Sequence, residues 1–196
     1  GIFGDASSGD FFADHGTEIS QPSASVVKLF TAAAALRVLG ADYTFSTQVV
    51  EGQPGELFLV GGGDVTLTRA PGRNYYNSNS SLASLAEAVR ENAGPAMSLT
   101  IRADGSRYED FPEWDTSWRS GSAALGFVAP VTALQVDGDR DQPSVRLSPR
   151  SMNPESRATN WFFEALRVAA PERQVVVGEP DRAPSDSRVL ATVESA

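Results

Sequence analysis

Ser25 and Lys28 are the residues whose types and spacing point most directly to chemistry. Lys28 is the only lysine in a chain that carries fifteen arginines. Arginine stays protonated in proteins, whereas a lysine amine can be made neutral by its surroundings and then act as a base. Ser25 stands three residues earlier, and residues at i and i+3 share one face of a helix. The spacing therefore brings a hydroxyl within reach of an amine. A helix start adds free backbone N–H groups and a partial positive charge, which suit the negative charge that builds on an attacked carbonyl oxygen. Val26, Val27, Leu29 and Phe30 are expected to desolvate the amine. The same residues admit a plainer account, in which Ser25 caps the helix and Lys28 reaches from its first turn into solvent.

The helix that must position this pair is read over residues 26–39. It is rich in Ala and Leu, is stopped by Gly40, and is apolar nearly all round, which predicts a buried helix. Before it, residues 1–19 read as two strands joined by the turn-rich Asp5-Ala6-Ser7-Ser8-Gly9-Asp10, and residues 20–23 as a loop. After it, residues 43–50 and 56–60 read as strands, the second closed by Gly61-Gly62-Gly63-Asp64. Residues 70–79 form a loop. Leu82, Leu85, Ala86 and Val89 fall at i, i+3, i+4 and i+7, which is one helix face. Residues 98–102 read as a strand and 104–126 as irregular. A strand interrupted by Pro130 is expected over 128–136, and a short one within 143–149. Asn153-Pro154-Glu155 opens a helix that stops at Pro171, with Asn153 as its cap. Strands at 174–177 and 189–193 flank a polar loop.

Composition narrows the possibilities. With 196 residues, 41% of them hydrophobic and 9% aromatic, the chain can build a core, which argues against wholesale disorder. A net charge of -9 argues against sequence-independent binding of nucleic acid. The absence of cysteine removes disulfides, thiolate metal sites and cysteine nucleophiles together. A single histidine, His15, excludes multi-histidine metal sites. No metal and no cofactor is expected.

The context of the Ser-Lys pair carries a resemblance. Pro22-Ser23-Ala24-Ser25-Val26-Val27-Lys28-Leu29-Phe30-Thr31 resembles the active-site helix of the class C low-molecular-mass penicillin-binding proteins, which are serine D-alanyl-D-alanine carboxypeptidases and endopeptidases. Leu57-Phe58-Leu59-Val60-Gly61-Gly62-Gly63-Asp64 resembles the strand and turn that follow it in that family. Phe127-Val128-Ala129-Pro130-Val131-Thr132-Ala133-Leu134 resembles a third segment, and the helix and strand over 156–178 extend the similarity to most of the chain.

The resemblance implies an α+β fold: a penicillin-binding protein and serine β-lactamase-like domain, an antiparallel sheet flanked by helices, with an inserted smaller α+β domain. Residues 1–45 would belong to the catalytic domain, 46–188 to the insertion, and 189–196 to the return. Ser25 would be the acyl-forming nucleophile, with its backbone N–H in the oxyanion hole, and Lys28 its general base. The substrate would be a peptidoglycan stem peptide ending in D-Ala-D-Ala, and β-lactams would acylate the same serine. Such enzymes also need a S-x-N and a K-T-G triplet. With Lys28 as the only lysine, K-T-G is impossible here. The chain is therefore expected to be an N-terminal fragment, completed by a C-terminal piece that supplies both triplets. The location implied is extracytoplasmic, in the periplasm or cell envelope, after export as a precursor. A β-lactamase or esterase on the same scaffold, and a non-catalytic envelope binding protein, are the alternatives.

Relatives that recognise the stem's diamino acid use acidic and aromatic residues before Ala129-Pro130; here residues 120–127 offer Phe127, a candidate for substrate binding, and no carboxylate. Val65 stands where the family usually has Pro. Ser151-Met152-Asn153 has the letters of S-x-N but reads as a loop and helix cap. His15, beside Gly16, reads as a surface residue. Gly61-Gly62-Gly63 lacks the context of a phosphate cradle and reads as a turn. Trp114, Trp118, Tyr108 and Phe111 read as core or loop packing, with a cleft wall as the alternative. The acidic residues read as solvated surface.

Overall fold

Short β-rich runs alternate with two amphipathic segments after residue 43, and over Thr44–Ala196 these build a five-stranded sheet carrying two helices. The computed structural model describes residues 2–16, 19–20, 22–72 and 74–195. Gly1, Thr17, Glu18, Gln21, Arg73 and Ala196, which belong to the segments 1–19, 20–23, 70–79 and 189–196 read above, lie outside the described residues.

Gly1–Tyr43 forms a unit of its own. Strands β1 (Ile2–Gly4) and β2 (Phe11–Asp14) pair antiparallel across the expected turn. Asp5 closes that turn by accepting the Ser7 N–H and hydroxyl at 2.7 and 2.6 Å. Helix α1 (Val27–Leu39) ends where Gly40 adopts φ +90°, its N–H donating to the Leu36 carbonyl at 3.1 Å. The expectation of a buried helix fails: Leu29 and Phe30 are 70% and 71% exposed. Among the described residues, two short strands and a 3-10 turn accompany α1 in its unit, too little to cover a helix that is apolar nearly all round.

In the second unit the strand order is β6-β5-β4-β3-β7. Strands β3 (Ser46–Glu51) and β4 (Glu56–Val60) form a hairpin, pinned where Glu51 accepts the Gly55 N–H at 3.1 Å. Strand β5 (Ser98–Asp104) runs parallel to β4, and β6 (Gln174–Val177) parallel to β5. Parallel neighbours need a long crossover, and helices α2 (Leu82–Asn92) and α3 (Pro154–Ala169) lie in those crossovers. Strand β7 (Arg188–Glu194) closes the other edge antiparallel to β3, where Thr44 and Ser46 donate to Glu194 at 2.7 and 2.6 Å. The residues set apart above as a return segment are thus part of this sheet as far as Glu194.

Helix α2 buries the four residues its spacing marked, Leu82, Leu85, Ala86 and Val89. Ser81 caps it, accepting the Ser84 N–H at 3.1 Å. Helix α3 starts at Pro154, but Asn153 makes no side-chain cap; its φ and ψ of -138° and 67° depart from the extended backbone that aims a cap at the first turn. Both helices pack on the sheet and on each other, and Val49, Leu57, Leu59, Leu85, Phe162 and Leu166 form the centre of the core. Burying each such side chain contributes about 1.5–3 kcal/mol.

Two expected strands are absent. Residues 128–136 make scattered bonds: the Val131 N–H donates to Glu113 at 2.8 Å, and the Ala133 carbonyl accepts the Gly63 N–H at 2.8 Å. Pro130 has no N–H to give a ladder. Residues 143–149 are turns, flanked by an isolated bridge between Arg140 and Arg150.

Candidate active site

A single 3-10 turn, Ala24–Val26, leads into α1 and carries Ser25. Lys28 lies one helical step further on, and its Nζ donates to Ser25 Oγ at 3.1 Å. The N-cap position of α1 is held by Val26, with no side-chain cap, so Ser25 does not serve as the cap of the plainer account. Ala24 holds φ +46°, a left-handed conformation that costs a non-glycine residue roughly 1–2 kcal/mol. Such strain gathers at functional sites, and here it falls on the residue next to the hydroxyl. Val26, Val27, Leu29 and Phe30 are exposed, so they do not enclose the amine as expected.

The remaining sequence candidates lie in the second unit, His15 apart, which is exposed in a bend. Phe127 is exposed and lines a cavity of about 460 Å³ with Asp64, Tyr76, Tyr108, Arg140 and Arg150. Gly63, the last of the run Gly61-Gly62-Gly63, also lines that cavity. A Cβ at Gly62 would overlap the Ser46 carbonyl, one at Gly61 would lie 2.5 Å from the Ala133 carbonyl oxygen, and Gly63 has φ +90°. Close backbone approach, as a turn after a buried strand, accounts for the glycine run. Ser151 lies in the loop before α3, where its N–H and hydroxyl donate to Asp139 at 2.6 and 2.8 Å. Trp114 and Trp118 pack edge to face at 5.1 Å.

Sequence reasoning missed a buried ionic cluster, and with it the reading of the acids as solvated is corrected. Asp64, Asp104, Asp137 and Asp139 are all buried. Asp137, Gly138 and Asp139 each adopt a left-handed backbone, which turns the two carboxylates inward. Asp137 pairs with Arg69 at 2.9 Å, and Asp139 with Arg157 at 3.2 Å. Burial outweighs these partners and pushes both carboxyls above the usual range, while burial draws Arg69 down despite Asp137. Arg69 also stacks on Trp161 at 3.7 Å. The Asp-Gly-Asp triplet is a turn signal, but nothing in its spacing announces Arg69.

A second cavity, of about 300 Å³, brings Asp104, Glu113 and Glu155 together with Tyr108 and Phe111. Part of the aromatic set read as loop packing is therefore a cavity wall. Burial, then the charges of Glu113 and Asp104, push the Glu155 carboxyl up. Its oxygens occupy the place a Cβ at Gly105 would need.

This architecture is a penicillin-binding-protein fold. The chain is similar to penicillin binding protein 4 of Haemophilus influenzae, with a TM-score of 0.69 and 16% identity over 96% of this chain and 54% of that one. A structure of that protein complexed with a β-lactam gives 0.64 at 17% identity. The chain belongs to the D-Ala-D-Ala carboxypeptidase 3 (S13) family, whose pattern matches residues 1–161. It is 34% identical over 168 residues to carboxypeptidase DacB of Mycolicibacterium smegmatis, covering 84% of this chain and 36% of that protein. A carboxypeptidase of Mycobacterium tuberculosis is 33% identical over 178 residues, covering 88% of this chain and 37% of its own length. The chain thus spans little more than a third of the curated relatives it matches.

Proposed function

We propose that this chain carries the nucleophile and general base of a serine D-Ala-D-Ala carboxypeptidase and endopeptidase acting on peptidoglycan stem peptides. The observation that supports the reading is the 3.1 Å bond between Lys28 Nζ and Ser25 Oγ, in a chain of the S13 family. The Lys28 amine takes the Ser25 proton along that line as Oγ attacks the penultimate D-alanine carbonyl. The Ser25 backbone N–H contributes to the oxyanion hole. The ammonium then returns the proton to the departing amine of the terminal D-alanine, leaving an acyl ester on Ser25. Water, deprotonated by the same amine, hydrolyses the ester and restores the serine.

The site works with a further segment that supplies the S-x-N and K-T-G triplets, and Phe127 contacts the substrate. β-Lactams acylate Ser25 in place of the peptide. The reaction takes place outside the cytoplasm, where peptidoglycan lies. Release of D-alanine from a peptide ending in D-Ala-D-Ala tests the reading, with the chain joined to the segment bearing both triplets. Ser25→Ala is expected to abolish release. Unchanged release from Ser25→Ala would overturn the assignment.

A further inference from the structure

Arg140 and Arg150 face each other across an isolated antiparallel bridge, so their side chains leave the backbone on one side. Both line the cavity of about 460 Å³ that Phe127 also walls. Like charges directly opposite one another repel, and a buried charge without a partner is costly. The nearby carboxylates are committed elsewhere. Asp137 is taken by Arg69, and Asp139 and Asp141 by Arg157 at 3.2 and 2.7 Å. Asp64, on the cavity wall, accepts the Thr66 N–H and hydroxyl at 2.7 and 2.6 Å and the Ser80 hydroxyl at 3.4 Å. Among the described residues, neither Arg140 nor Arg150 has a carboxylate within 4.0 Å.

What the two arginines do have is neutral. Arg150 donates to the carbonyls of Gly126, Gly138 and Ser148. Arg140 Nη1 donates to the Asp137 carbonyl at 2.9 Å and to the Tyr76 hydroxyl at 3.1 Å, and the guanidinium lies 4.1 Å from the Tyr75 ring centroid and 5.0 Å from that of Tyr76. Its side chain is buried, and its Nε has no hydrogen-bond acceptor. Carbonyl dipoles and aromatic faces hold a cation in place, and the carboxylates of Asp137 and Asp139 offset the charges of Arg140 and Arg150 from a distance, without a direct ion pair. Burial, followed by the charge of Arg140, draws Arg150 below the usual arginine range.

We propose that the Arg140–Arg150 pair is a binding site for the carboxylate of an organic ligand. The guanidiniums meet the anion, and Phe127, Val128 and Pro130 give its aliphatic stem an apolar wall. The wall is what favours an organic carboxylate over a bare inorganic anion. The site lies wholly within Thr44–Ala196 and makes no use of Ser25; it shares Phe127 with the proposed substrate contact, and its test reads ligand binding rather than acylation.

Titration of the protein with glutarate, followed through arginine Nε–H resonances in two-dimensional NMR, tests the proposal. Saturable shifts at Arg140 and Arg150 are expected with glutarate, none with glutaramide, and weaker ones with inorganic phosphate. Arg150→Gln removes a charge-assisted contact and is expected to weaken glutarate binding about tenfold or more. Because Arg150 also ties three carbonyls, a second variant leaves the pair intact. Val65 is exposed and lines the same cavity, so Val65→Glu brings in a competing carboxylate and is expected to abolish the shifts. Absence of saturable shifts, equal shifts with glutaramide or phosphate, or full binding by Val65→Glu would each overturn the proposal.

Discussion

Lys28 Nζ lies 3.1 Å from Ser25 Oγ, held there by the three-residue spacing at the start of α1. A structural lysine and a basic one differ in what arginine does in their place. Arginine keeps the charge and can reach the hydroxyl, but it does not give up its proton. In protein carrying the S-x-N and K-T-G segment, Lys28→Arg is expected to lower the acylation rate by about 10²–10⁴-fold, the range a general base contributes. Stopped-flow acylation with a fluorescent penicillin, beside a melting curve, checks this. A rate within a few-fold of wild type would remove Lys28 from the proton path.

The Arg69–Asp137 pair predicts a strong asymmetry between single and double substitution. Asp137 is 2% exposed in its side chain and Arg69 30%. Taking Arg69 away strands a buried carboxylate, which typically costs about 3–5 kcal/mol. Arg69→Leu is therefore expected to lower the urea midpoint sharply. Adding Asp137→Asn is expected to restore most of the loss, since the stranded carboxylate is then neutral. Additive effects of the two substitutions in urea titrations would contradict the pairing.

Glu155 predicts the sign of a pH dependence. Burial first, and then Glu113 and Asp104, raise its folded-state pKa above the ordinary glutamate value. The folded state then holds the proton more tightly than the unfolded chain does. Stability from this group falls as pH climbs from the ordinary glutamate value through the raised one, and is regained on acidification. Glu155→Gln is expected to melt higher than wild type near about pH 8, with the advantage gone by about pH 4. Thermal melts across that range check the prediction, and a Gln variant that is less stable at the alkaline end would reverse the sign.

What could be read from the sequence follows the range over which each interaction acts. The buried face of α2 was legible because Leu82, Leu85, Ala86 and Val89 repeat at one period within one helix. The approach of Lys28 to Ser25 was legible for the same reason. The pairing of Arg69 with Asp137 was not, because a loop, a helix and a strand separate them in the chain. The strand read over 128–136 failed because apolar residues suggested a ladder that Pro130 cannot complete. The burial expected of α1 failed because a helix apolar on nearly every side needs cover that the described residues of its own unit do not supply. The Arg140–Arg150 bridge depends on the fold of a long irregular segment with no period to read.

The central claim is that Ser25 forms the acyl ester. Intact-mass spectrometry before and after penicillin, with the S-x-N and K-T-G segment present, measures it most directly. The account predicts a penicilloyl adduct that maps to the peptide containing Ser25, persists, and disappears in Ser25→Ala. No adduct with both segments present, or an adduct that maps to another serine, would contradict it.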